Sequence, residues 1–266
     1  MMKNKSKAMV QHENEALFEN RGLRDYFSYR DLGVATASNG RIVAQINRAN
    51  YKLTDEGELH HHVLAHQMNL VLKGSAIMKF EGIGEVELIT GTSFYMPPKI
   101  KHTFVSCSEN FITMEICTPA DFDTVIDNPK TYSNSTQLQQ PFFMQTAEQA
   151  SFEVKGLRSY LSYRDLGILK ETKGAILAHI IRAEEGAYEG SGEWHYHILD
   201  DQFVYVLQGW AKVQFEKQKP IRAKAGTCFY QPSEIKHAFL ACSEDFEALR
   251  SAYQLSLKLS LLKVYT

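Results

Sequence analysis

Eight side chains in this sequence have the types and spacing of metal ligands. His195 and His197 stand two apart, Gln202 follows, and His237 comes 35 residues after the glutamine; His60, His62, Gln67 and His102 repeat the spacing. Side chains at i and i+2 of a strand project from the same face. Each His-x-His pair therefore offers two imidazoles near enough to share an ion at a Zn–N distance of about 2.0–2.1 Å. The glutamine, after a turn, reaches the same ion from the next strand, and the last histidine from a more distant strand. Three imidazoles and one amide oxygen suit Fe(II), Mn, Ni, Zn or Cu(II). Of the ten histidines, only His12 and His179 lie away from these clusters, which also take in His61 and His66. Imidazoles crowded together inside a protein need partners. One divalent transition metal per cluster is the expectation, and a metal-free remnant is the competing one.

The two clusters belong to a tandem repeat. Tyr29-Arg30-Asp31-Leu32-Gly33 recurs as Tyr163-Arg164-Asp165-Leu166-Gly167, and Arg48-Ala49 as Arg182-Ala183, at an offset of 134. From the histidines onward the offset is 135: His60 with His195, Gly74 with Gly209, Pro97 with Pro232, His102 with His237. The extra residue falls between Ala183 and His195, in a stretch containing Gly186, Gly190 and Gly192 that reads as a loop, where insertions are tolerated. The division predicted is a polar N-terminal arm (1–16), a first domain (17–125), a linker (126–149) rich in turn-forming and glutamine residues, and a second domain (150–266).

Within each copy, short β-rich runs such as Gln67–Lys73 and Gln202–Gln208 end at a glycine, and Gly, Pro, Asn and Asp break the chain about every ten residues. An all-β fold of two tandem barrels, with short helical or irregular termini, is predicted. Alternation along the Gln202 strand turns Val204 and Val206 inward and Phe203, Tyr205 and Leu207 outward; Asn69 and Val71 go inward with Gln67.

Composition excludes several classes. Lys and Arg number 29 against 31 Asp and Glu, a net charge of −2 that provides no basic footprint for nucleic acid. No run of about 18 apolar residues predicts a membrane span. Met1–Ala16 lacks the apolar core of a secretory signal, so a cytoplasmic location is the default expectation. Cys107, Cys117, Cys228 and Cys242 form no CxxC pair and read as buried, reduced thiols.

The ligand segments resemble the two motifs of the cupin superfamily, G-x5-H-x-H-x3,4-E-x6-G and G-x5-P-x-G-x2-H-x3-N. The second copy matches as His195-x-His197-x4-Gln202-x6-Gly209 and Gly226-x5-Pro232-x-Glu234-x2-His237; the first as His60-x-His62-x4-Gln67-x6-Gly74 and Gly91-x5-Pro97-x-Lys99-x2-His102. The resemblance covers most of each copy and implies a bicupin of two jelly-roll barrels. Gln67 and Gln202 replace the motif glutamate. Lys99 and Glu234 replace its second glycine, so that turn is expected to avoid a conformation open only to glycine. Ser106 and Ala241 replace the terminal asparagine.

Phe104, Phe239, Asn69 and Val204 are the candidate pocket residues, with core packing the alternative for the two phenylalanines. His61 and His66 are expected at the surface, with a hydrogen-bonding or proton-carrying place behind the ligands the alternative. Asp201 is expected as a solvated loop charge, and the recurring Tyr-Arg-Asp as a buried structural turn or ion pair. No acid–base catalyst stands out. The resemblance suggests a dioxygenase-like enzyme acting on a small organic molecule; the alternative is a non-enzymatic binding or sensor protein. A homo-oligomer is compatible with either, and the leucine-rich segment after Gln254 is expected to pack on the barrel or on another subunit.

Overall fold

The computed structural model describes residues 8–20, 24–133, 142–154, 158–185 and 192–254, and the backbone of Val264–Tyr265. Gly186 and Gly190 of the insertion loop, the stretch 134–141 and Leu255, Leu257, Leu259 and Leu261 lie outside the described residues.

Each copy is a pair of antiparallel sheets. In the first, six strands run in the order Phe143–Gln145, Ser93–Met96, His66–Lys73, Ile112–Thr118, Val43–Ala49 and Phe27–Asp31. The other sheet orders Asp123–Ile126, His60–Val63, His102–Cys107, Ser75–Phe80 and Gly84–Ile89. The second copy repeats this plan. Cys228–Pro232, Asp201–Gln208, Glu247–Tyr253, Ile176–Ala183 and Leu161–Asp165 form the body of one sheet. Ile221–Lys224, Trp210–Phe215 and His237–Cys242 form the other. The all-β, twin jelly-roll expectation holds; the only α-helices among the described residues are the four-residue turns Val34–Ala37 and Ile168–Glu171.

The boundaries differ from those read in the sequence. The chain divides into a unit of residues 1–16, 36–39 and 150–266 and a unit of 17–35 and 40–149. The supposed N-terminal arm supplies a strand, Met9–Gln11, that pairs with Cys228–Pro232 in the second copy's sheet. The supposed linker supplies Phe143–Gln145, which pairs with Ser93–Met96 in the first, while Asp123–Ile126 pairs with His60–Val63. Residues 9–11 and 143–145 are equivalent in the repeat, yet each completes the sheet of the other copy. An open sheet edge exposes unpaired backbone groups, and three residues are enough to cover this one. Such a strand is too short to show a period-2 pattern.

Both faces of the Asp201–Gln208 strand are covered. Phe203 and Val206 are fully buried and Tyr205 nearly so, with Phe203 packed on Tyr253 at 6.3 Å between ring centroids. The outward placement of Phe203 and Tyr205 is therefore right in direction but not in exposure. A continuous apolar run from Phe203 to Leu207 suits a strand buried on both sides. The recurring Tyr-Arg-Asp is structural at its last two residues. Asp31 and Asp165 accept from the N–H of Gly33 and Gly167, both at 2.8 Å. Arg30 with Arg48, and Arg164 with Arg182, hold Phe18 and Phe152 by cation–π contacts. All four cysteines are free and buried. Among the described residues, no helix is long and apolar enough to cross a membrane.

Candidate metal centres

The six motif histidines converge in two groups of three. In each group the candidate ligand atoms of His60, His62 and His102, or of His195, His197 and His237, lie within 4.8 Å of one another. The strand register does this. His60 pairs directly with His102, and His195 bridges His237, so the imidazole rings of each pair lie 4.2 Å apart. The i+2 histidines add the third ring at 5.1–5.2 Å.

Backbone carbonyls fix the tautomers. Nδ1–H of His60 donates to Glu58 O at 2.9 Å and that of His102 to Ile100 O at 2.9 Å; His237 donates to Ile235 O at 3.0 Å and His195 to Glu193 O at 3.3 Å. A carbonyl only accepts, so the proton sits on Nδ1 and the Nε2 lone pair faces the cluster. His62 Nδ1 is held by Thr124 Oγ1 at 2.9 Å. Burial is the main cause that keeps these rings neutral. It pushes His60 down to about 3, with the Arg24 guanidinium assisting, and His195 to about 4, assisted by Arg158. His237 falls to about 3, from burial and then from the neighbouring His195, while His102 lies well below its ordinary value. Neutral imidazoles with anchored far nitrogens and convergent lone pairs fit a divalent cation.

The glutamines are buried beside them, but their amides differ. In the first copy Gln67 Nε2 donates to Glu115 Oε1 at 2.6 Å. Glu115 also accepts from Gln45 Nε2 at 2.7 Å and Asn47 Nδ2 at 3.1 Å. The carboxylate can only accept, so the oxygen of Gln67 is the end left for an ion. In the second copy the residue equivalent to Glu115 is Arg250. Its Nε donates to Gln202 Oε1 at 2.9 Å, and Gln202 Nε2 makes a short hydrogen bond to Gln231 Oε1.

The second copy encloses a cavity of about 490 Å³, into which His195, His197, Gln202 and His237 project together with Val204 and Phe239. Leu161, Val213 and Phe229 make much of its apolar wall, and Arg158, Tyr163, His179 and Arg250 its polar groups. The equivalent interior positions of the first copy carry the larger Phe27, Met78 and Met96, all part of a buried core. There Phe104 is core, between Phe27 and Phe111 at 5.0 and 5.9 Å, and Asn69 is buried against Met96 Sδ at 3.6 Å. Val204 and Phe239 thus line a cavity, while Phe104 and Asn69 are packed in.

A cupin-domain family model matches residues 184–249, the segment that holds all four candidate ligands of the second copy. Solved structures of oxalate decarboxylase from Bacillus subtilis superpose on both copies. One variant has a TM-score of 0.70 at 14% identity, covering 95% of this chain and 79% of that one. The chain has the fold of a two-domain cupin. A second variant has a TM-score of 0.69 at 12% identity, covering 92% and 77%; the structure at pH 4.6 has 0.67 at 15%, covering 92% and 76%. At such identities the likeness is one of fold. No curated protein matches this chain in sequence.

Three expectations about the turns and polar groups need correction. Lys99 and Glu234 do not avoid the left-handed region: both have φ 62. Their backbone N–H groups bond His62 O at 3.2 Å and His197 O at 2.9 Å, which ties the turn to the histidine strand and holds the conformation. His61 and His66 are partly buried rather than exposed, on Asp127 at 2.7 Å and Tyr95 at 3.0 Å. Asp201 is fully buried and accepts a short hydrogen bond from Tyr230.

Sequence reasoning missed the arginines. Arg24 Nη2 contacts His60 Nε2, and Arg158 Nη2 lies 3.4 Å from His195 Nε2, each guanidinium standing over Phe104 or Phe239. The available signal was repetition, since Arg24 and Arg158 are 134 apart. The opposite signs of Glu115 and Arg250 were a second signal, visible only once the copies are aligned strand by strand.

Proposed function

We propose that this cupin is a metal-dependent enzyme that transforms a small organic molecule in the cavity of the second copy. The observation that carries the reading is that three neutral histidines, His195 and His237 anchored through Nδ1, project into a largely apolar cavity of about 490 Å³. That size and lining suit a small organic ligand. His195, His197 and His237 would hold the ion, with Gln202 beside them. An ion bound there supplies Lewis acidity or electron exchange toward a substrate that ligates it. Val204, Val213, Phe229 and Phe239 exclude water around the substrate's body, while Arg158 and Tyr163 supply polar groups on the wall. The solved relatives are oxalate decarboxylases, one of them described with Mn(II) centres, which makes Mn(II) the first ion to test beside Fe(II).

Two reaction classes follow from such a centre, oxidation by O2 as in a dioxygenase and carbon–carbon cleavage without net oxidation. The test loads purified protein with Mn(II) or Fe(II) and offers 1,3-diketones, phenolic acids, flavonols and small dicarboxylic acids, with and without air. O2 uptake assigns the dioxygenase class; substrate loss with CO2 release under argon assigns the other. Either activity must disappear in His237→Ala. Metal binding and ligand binding without turnover of any candidate would favour the binding-protein alternative.

A further inference from the structure

The two centres share their histidines, their glutamine and their arginine at the cluster's edge. They differ in the charge set against the glutamine: Glu115 in one copy, Arg250 in the other. The common groups match in charge, although Arg24 lies directly on His60 Nε2 and Arg158 stands 3.4 Å from His195 Nε2. Arg24 and Arg158 each add one positive charge, and Asp31 and Asp165 are both committed to a glycine N–H. What remains is a carboxylate in the first copy and a guanidinium in the second.

The difference acts on the ion twice. Glu115 accepts from the Gln67 amide, pushing electron density onto the amide oxygen and placing a negative charge just behind a dication. Arg250 donates to Gln202 Oε1, drawing density from the atom that would ligate, and adds a second positive charge to that of Arg158. Arg250 also has its Nη2 buried without a hydrogen-bond partner, on the wall of the cavity. A buried, unpartnered guanidinium N–H is an unmet demand for an acceptor. Arg158, Tyr163, Asp165, His179, Gln202 and Gln231 share its cavity wall with the three histidines, and Asp165 is held by the Gly167 N–H.

We infer that the two centres are inequivalent: the first binds a divalent ion unaided, and the second binds one only together with an anionic ligand held by Arg250 and Arg158. The inference rests on the metal reading above and narrows its substrate to a small organic acid. The carboxylate neutralises the guanidinium that opposes the ion and offers an oxygen to ligate it. Ion and acid then favour each other's binding, as linkage requires. The first centre has no such need, since its negative charge is built in.

The test measures Mn(II) per chain by equilibrium dialysis of the full-length protein, with malonate as the probe acid. Without malonate about one ion per chain is expected, and with saturating malonate about two. His102→Ala should remove the malonate-independent ion and His237→Ala only the malonate-dependent one. Arg250→Gln should raise the second centre's malonate-free affinity roughly tenfold or more, the effect of removing a nearby like charge. Should either histidine variant fail to fold, Arg250→Gln in the wild-type background still decides the matter. Two equal ions without malonate, loss of the independent ion in His237→Ala, or an unchanged second centre in Arg250→Gln would overturn the inequivalence while leaving the metal reading intact. No bound Mn(II) under any condition would overturn both.

Discussion

Glu115 and Arg250 occupy one position of the repeat, and each hydrogen-bonds the glutamine of its own histidine cluster, the acid to the amide nitrogen and the base to the amide oxygen. The same substitution should therefore act oppositely in the two copies. Gln67→Glu puts a second carboxylate where the amide now lies 2.6 Å from Glu115. Two carboxylates so close cannot both ionise without cost. The metal-free variant should lose about 1–3 kcal/mol at pH 7, recovered on adding a divalent ion. Gln202→Glu pairs with Arg250 instead and should lose little or gain. Urea unfolding of both variants with and without EDTA checks the contrast; equal losses would contradict the amide assignments.

Acid should weaken the metal-free protein through the histidines. His60 and His237 are held down to about 3 and His195 to about 4, mainly by burial. Between those values and the unfolded pKa of about 6.5, the unfolded chain binds protons that the folded chain refuses. Stability from these groups is thus complete above about 6.5 and declines as pH falls toward 4. Urea unfolding across that range, on EDTA-treated protein, should show the decline, and His60→Gln should make it shallower. A flat profile would mean that the clusters protonate while folded.

Much of this molecule is legible in its sequence because it is written twice. The His-x-His spacing works through the pleat, and the turn from Pro97 or Pro232 to the last histidine through fixed register, so local rules suffice. Other features needed contacts between distant residues. Nothing near Met9–Gln11 announces that it pairs with Cys228–Pro232, because pairing partners far apart in sequence leave no local pattern. The burial of Asp201 depends on Tyr230, and that of His61 on Asp127. The cavity is subtler still. It arises in part from Leu161 for Phe27 and Val213 for Met78, neither of which changes the hydrophobic pattern.

Those differences can be reversed. Val213→Met and Leu161→Phe give the second copy the side chains found at the same positions of the first, where they are buried. Filling the cavity should lower affinity for any small organic ligand by tenfold or more, and stability should stay level or rise by about 0.5–2 kcal/mol. Since the carbonyls that anchor His195 and His237 come from Glu193 and Ile235, Mn(II) binding should survive. Thermal unfolding with and without a ligand found in the substrate panel separates the two effects. A ligand whose affinity is untouched would have to bind outside this cavity.

The turns that carry Lys99 and Glu234 supply the last prediction. A non-glycine residue in the left-handed region costs about 1–2 kcal/mol, from its Cβ against the following carbonyl. Glycine removes that cost but gives up about 0.5–1 kcal/mol to the greater freedom of the unfolded chain. Lys99→Gly and Glu234→Gly should each therefore stabilise by up to about 1 kcal/mol, while Lys99→Ala and Glu234→Ala, which keep the Cβ, should not. The N–H bonds to His62 O and His197 O involve only backbone and persist in all four variants. Metal affinity should accordingly stay constant while the urea midpoint moves. If both glycine variants lower the midpoint instead, the Lys99 and Glu234 side chains must contribute contacts that outweigh the strain.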